Sequence, residues 1–164
     1  MQSRDAIINY LEDAEAAERN FEDALATFSK QGEQQQVKST MQWMSEKART
    51  QHERLESRLR ALGGSPSKAK SALAHMLAFT PTSAQAGHSP GEKDTQHLMI
   101  TYAAAAAEMA MYEAMAAAAS TVGDTETERL ARQLQSEEKG DHEKAWGLLR
   151  QSALQSFNAL TGTH

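Results

Sequence analysis

Leu11, Ala14, Glu18, Phe21, Leu25 and Phe28 follow one another at three- and four-residue intervals. That spacing puts them on one face of an α-helix, apolar except for a glutamate at its middle. The arrangement returns in the second half of the chain, where Ala105, Glu108, Tyr112, Met115, Ala119 and Val122 stay in register. Between these stripes, Val37, Met41, Met44, Ala48, Leu55, Leu59 and Leu62 share a face, with Gln51 and His52 filling the gap before Leu55. Near the end, Leu130, Leu134, Ala145 and Leu148 face inward. Asp141 is central among them, Glu138 is close, and Glu137 and His142 lie on the flanks. The pattern predicts four amphipathic helices, each with a polar interruption near mid-length.

Punctuation sets the boundaries. Pro66, Pro81 and Pro90 all fall between Ser65 and Gly91, and Gly63, Gly64, Gly87 and Gly91 cluster there too. The rest is rich in strong helix formers. Helices are predicted over residues 5–30, 33–62 and 94–122. A fourth follows the Gly123-Asp124-Thr125 turn and runs to about residue 158. Ser65-Pro66 resembles a cap with a first-turn proline, opening a short helix that ends near Phe79. A loop carrying Pro81, Gly87, Pro90 and Gly91 follows it. The fold class is all-α, with residues 1–160 as a single domain and residues 161–164 as a frayed tail. Short turns force two antiparallel hairpins, and the long connection is the crossover of a ferritin-like four-helix bundle. A weak internal duplication fits this, since His52-Glu53-Arg54 resembles His142-Glu143-Lys144.

Composition narrows the function classes. The 164-residue chain has no cysteine, which excludes disulfides, thiolate ligands and iron–sulfur clusters. Its net charge of −5 argues against nucleic acid as the main partner. Met1-Gln2-Ser3-Arg4-Asp5 has no apolar signal core, so a cytoplasmic location is expected. Glu108 and Glu113 interrupt the Ala/Met-rich segment, so no membrane span is expected. No phosphate-binding loop, nucleophile elbow or cysteine zinc pattern is present, and no catalytic residue is assigned.

The candidate chemistry lies in the polar interruptions. A carboxylate pointed into a core is costly unless it is neutralised. Counting helical turns from Gly32 and Gly123 puts Glu18 level with residues 47–51, and Glu108 level with residues 138–142. Glu18 and Glu108 are the leading candidate ligands for a metal. Glu138, with His142 or Asp141, completes the better half of the site. Gln51 is a weak ligand and a good hydrogen-bond partner. Carboxylates with imidazole suit iron, manganese or zinc. Lys47, at the edge of its face, is the alternative neutralising charge, while Glu46 points away. Tyr102 and Tyr112 read as core and edge aromatics ahead of redox or radical groups beside a metal, and Met99, Met109, Met111 and Met115 as core filler. His75, His88, His97 and His164 have no partner at ligand spacing.

Several segments resemble the YciE/YciF family of small bacterial ferritin-like proteins, on its YciE side. These are the run from Tyr10 to Arg19, Glu53-Arg54-Leu55-Glu56, Glu108-Met109-Ala110-Met111-Tyr112, Gly123-Asp124-Thr125 and Glu137-Glu138-Lys139. The resemblance spans nearly the whole chain. It implies a four-helix bundle, a homodimer, a link to bacterial stress and a di-iron or manganese carboxylate centre. It also marks two departures. Lys47 stands where the family tends to place Glu, and Ala105 where it tends to place a second Glu. Two expectations follow: a stress-related protein with a partly degraded carboxylate/His metal site, or a metal-free dimeric structural or interaction protein.

Overall fold

The computed structural model describes residues 3–66 and 90–162. Four helices make up the described chain: α1 (Ser3–Gln31), α2 (Gln35–Ala61), α3 (Pro90–Thr121) and α4 (Thr125–Thr161). The all-α four-helix fold is as the periodicity predicts. The expected short crossover helix and the Pro81–Gly87 part of the loop fall outside the described residues, as do Thr163 and His164.

Two boundaries differ from the sequence reading. α3 begins at Pro90, inside the predicted loop, because proline fits the first helical turn, whose amide has no intrahelical partner. α4 runs on through Thr161 and closes at Gly162, whose φ of 65° supplies the left-handed cap. Its amide donates to the Asn158 carbonyl at 2.9 Å.

The turns are built locally. Gly123 takes a φ of 74°, and the Asp124 carboxylate then caps α4, accepting from the Thr127 amide at 3.0 Å. Arg58 reaches across from α2 to the same carboxylate at 2.6 Å. The start of α2 is capped from elsewhere in the chain. Asp94 Oδ2 on α3 accepts from the Glu33 and Gln34 amides at 2.7 and 2.8 Å. A Cβ at Gly32 would stand 2.0 Å from Asp94 Oδ1, so this approach requires glycine.

α1 packs along α2, and α3 along α4, while the hairpins meet chiefly through α1 and α3. The buried apolar residues form two clusters. Toward one end, Ile7, Leu11, Leu55, Leu59, Met115, Ala119 and Leu134 pack together, with the Tyr112 ring. Toward the other are Phe21, Leu25, Phe28, Met41, Met44, Leu98 and Ala145. Each fully buried Leu or Phe here contributes about 2 kcal/mol. Ala104, Ala105, Ala116 and Ala119 are buried and allow close helix approach, while Ala103, Ala110, Ala114 and Ala117 face outward. Val122, expected on the inward face, is 43% exposed because it lies past the end of α3, in the turn. No helix among the described residues is long and apolar enough to cross a membrane.

Candidate metal centre

Between the two apolar clusters lies a polar layer. Glu18, Gln51, Glu108, Glu138 and Asp141 are all at most 1% exposed, one helix face contributing each except α4, which gives two. Oxygens of Glu18, Glu108 and Glu138 lie within 4.8 Å of one another. The height matching read from the turns therefore holds, and both hairpins deliver their central glutamate to one place.

The surroundings are unequal. The Tyr112 hydroxyl donates a short hydrogen bond to Glu18 Oε1. Gln51 Nε2 donates to Glu138 Oε1 at 2.8 Å and to Glu137 Oε2 at 3.1 Å. Arg54 holds Glu137 from the solvent side at 2.8 Å, so a chain of polar contacts links the layer to the surface. Lys47 reaches inward and donates to Asp141 Oδ1 at 2.8 Å and to the Glu137 carbonyl at 2.7 Å. With the carboxylates ionised, Glu18 Oε2, both Glu108 oxygens, Glu138 Oε2 and Gln51 Oε1 are buried without a hydrogen-bond partner.

Electrostatics follows from this geometry. Burial holds the Glu108 carboxyl well above its ordinary range, and repulsion from Glu18 and Glu138 raises it further. Burial, then repulsion from Glu138, does the same to Glu18, against the opposing Tyr112 hydrogen bond. Glu138 is raised to about 7 by burial and Asp141, with Lys47 and Gln51 opposing. Asp141 is raised by burial and partly restored by Lys47. A proton on Glu108 would relieve its repulsion with Glu138, since a neutral carboxyl can donate where two carboxylates repel.

Of the six sequence-predicted site residues, Glu18, Glu108 and Glu138 converge and Gln51 touches their edge. Asp141 is in the layer but engaged by Lys47. His142 is not brought to the three carboxylates. Its ring lies 3.9 Å from that of Tyr102, on the partly exposed α3–α4 side, with Trp146 5.4 Å from the same tyrosine. His52 Nδ1 lies 2.9 Å from Glu22 Oε2, outside the cluster. Sequence reasoning missed the Tyr112 hydroxyl, although its place one turn after Glu108 is a legible signal. It also passed over His97, which is fully buried and stacked 4.2 Å from Phe28 with neither ring nitrogen partnered.

A family described as a domain of unknown function, DUF892, matches residues 2–157. The chain belongs to the DUF892 family. Three solved structures share its bundle. The E. coli stress protein YciF has a TM-score of 0.83 at 18% identity, covering 94% of this chain and 99% of its own. A protein of Xanthomonas campestris pv. campestris has a TM-score of 0.81 at 22% identity, covering 98% and 99%. YcfI of Rhodopseudomonas palustris has a TM-score of 0.79 at 22% identity, covering 88% and 93%. No curated protein matches the chain significantly. The YciE/YciF-type resemblance read from the sequence is thus borne out, and these neighbours establish the bundle.

In this DUF892 protein the donor set fits an oxygen-seeking cation. Three carboxylates with unpartnered, fully buried oxygens converge, and no imidazole or sulfur joins them among the described residues. Such a set suits Mn²⁺, Fe²⁺ or Mg²⁺ better than the softer metals.

Proposed function

We propose that the protein binds a divalent cation of the iron or manganese kind at mid-bundle and serves in the stress response of its host. The observation that carries the first half is Glu108, fully buried with both oxygens unpartnered beside two more carboxylates. Such a group needs either a cation or a proton. Glu18, Glu108 and Glu138 would hold the ion, and Gln51 and Tyr112 orient two of them. A bound ion of this class supplies charge stabilisation for an oxygen-rich ligand. The stress assignment rests on the likeness to YciF, and a cytoplasmic location fits the acidic, cysteine-free chain.

Metal analysis of protein purified without chelator tests this reading. Near-stoichiometric metal is expected in the parent, with loss in Glu18→Ala and in Glu108→Ala. Metal-free parent protein, or equal metal in both variants, would overturn it.

A second reading has its own observation. Lys47 already neutralises Asp141, as in a metal-free structural bundle. The outward face of α3, with Met99, Ala103, Ala110, Ala114 and Ala117, is largely apolar, with Glu113 beside it paired to Arg132, and suits a homodimer contact. Light scattering of the purified chain decides the dimer. A monomer at high micromolar concentration would exclude it.

A further inference from the structure

Resting on the metal-binding reading above, the remaining question is how many ions the layer admits. Four carboxylates enter it, but they are not equivalent. Glu18 Oε1 is engaged by the Tyr112 hydroxyl and Glu138 Oε1 by the Gln51 amide. Asp141 is engaged by the Lys47 ammonium. The carboxylate oxygens left unpartnered are Glu18 Oε2, Glu138 Oε2 and the two of Glu108. The Gln51 amide oxygen is buried and unpartnered as well, independently of the acidic group. Hard divalent ions take about six oxygens each, some of them water. The five free oxygens, with water, therefore complete one such shell and leave little for a second.

Lys47 is also fixed in place. Its ammonium is held at both the Glu137 carbonyl and Asp141, on the α2–α4 side of the layer. Those helices pack less closely than the partners within each hairpin, and the long Lys47 side chain reaches from one to the other. Its charge acts on Glu18 and Glu138 as well as on Asp141. A second dication on this side would meet a fixed positive charge at short range and find its fourth carboxylate occupied.

We propose that Lys47 is the residue that sets metal stoichiometry, standing as a built-in counter-cation that limits the layer to one divalent ion. Replacing it by a carboxylate removes the opposing charge, frees Asp141 and adds donors. Lys47→Glu is therefore expected to admit a second ion.

The test uses the full chain, stripped with chelator, loaded with Mn²⁺ and freed of excess. Metal is counted by elemental analysis, and the bound ion is examined by electron paramagnetic resonance. One Mn²⁺ per chain is expected in the parent, with the resolved hyperfine pattern of an isolated ion. Lys47→Glu is expected to double the count and give the signal of an exchange-coupled pair. Two coupled ions in the parent would overturn the inference while leaving the metal-binding reading intact. So would a folded Lys47→Glu protein that stays at one ion. If that variant does not fold, Lys47→Gln takes its place, with two ions expected and a count of one overturning the inference. No Mn²⁺ in the parent but binding in Lys47→Gln would mean that Lys47 fills the whole centre, which also overturns the inference. No Mn²⁺ in either protein sinks the metal-binding reading and the stoichiometry with it.

Discussion

Replacing Glu108 by Gln separates the two ways in which the layer can be neutralised. In the metal-free protein Glu108 is held well above its ordinary value of 4.5, chiefly by burial. The unfolded chain ionises at that ordinary value, so folding at higher pH must hold a proton on the carboxyl. A raised folded value contributes stability that is complete below about pH 4.5 and is lost as pH rises toward the folded value. Each pH unit in that window is worth ~1.36 kcal/mol. Gln needs no proton, matches the shape, and can donate to Glu18 and Glu138.

Glu108→Gln is therefore expected to stabilise the chelated protein at pH 8 by roughly 1–3 kcal/mol, the usual cost of a buried polar group left without a partner, and to change it little at pH 4.5. For a chain of this size each kcal/mol corresponds to roughly 2–4 °C in Tm. Mn²⁺ should raise the Tm of the parent and not that of the variant, because a native-state ligand stabilises only where it binds. The assay is a set of thermal and denaturant melts at both pH values, with chelator and with Mn²⁺. A variant that loses stability equally at pH 4.5 and pH 8 in chelator would refute the reasoning, since Glu108 would then be a satisfied carboxylate and not an orphaned one.

Other perturbations probe the supports. Tyr112→Phe leaves Glu18 Oε1 without its donor and should cost about 1–3 kcal/mol in denaturant unfolding of the chelated protein, with the bundle retained by circular dichroism. Asp94→Ala removes the acceptor for the Glu33 and Gln34 amides and should cost about 1–2 kcal/mol; no change in the melt would show that α2 does not depend on this cap. His97 is lowered to about 4 by burial, so its neutral form is the folded one. Its contribution is intact above pH 6.5 and is lost as pH falls toward 4, by up to about 3 kcal/mol. His97→Phe should flatten that part of the pH–stability curve measured by denaturant midpoints, and an unchanged slope would exclude His97 as its source.

The helices and their inward faces were legible because they rest on strong periodicity. Leu11 to Phe28 and Val37 to Leu59 are buried where a 3.6-residue repeat puts them. The meeting of Glu18, Glu108 and Glu138 was legible from turn counting, because a helix rises by a fixed amount per residue. What each polar group touches was not, since long side chains choose among neighbours that periodicity does not rank. Lys47, at the edge of its face, reaches Asp141. His142, equally at an edge, goes to Tyr102, whose ring offers a flat apolar partner at the α3–α4 margin. Asp94 was invisible as a cap because the amides it serves lie 60 and 61 residues earlier. Pro90 and Gly91 were read as breakers, although proline in a first turn starts a helix as readily as it ends one.

The place of the polar layer explains why it can persist. Apolar clusters lie on both sides of it, and its side chains project from four long helices and from no loop. The backbone therefore cannot relax to bring the carboxylates to water, and their mutual repulsion has only two outlets, a proton or a cation. Both act on the same oxygens. Glu108, Glu18 and Glu138 are all shifted toward the protonated form, so a cation entering the layer must displace protons. Apparent affinity should then rise with pH for as long as those carboxyls remain protonated in the metal-free chain. Lys47 moderates this exchange in one direction only. It offsets one carboxylate permanently, which lets the metal-free bundle hold together, and by the same charge it restricts how much cation the layer can accept.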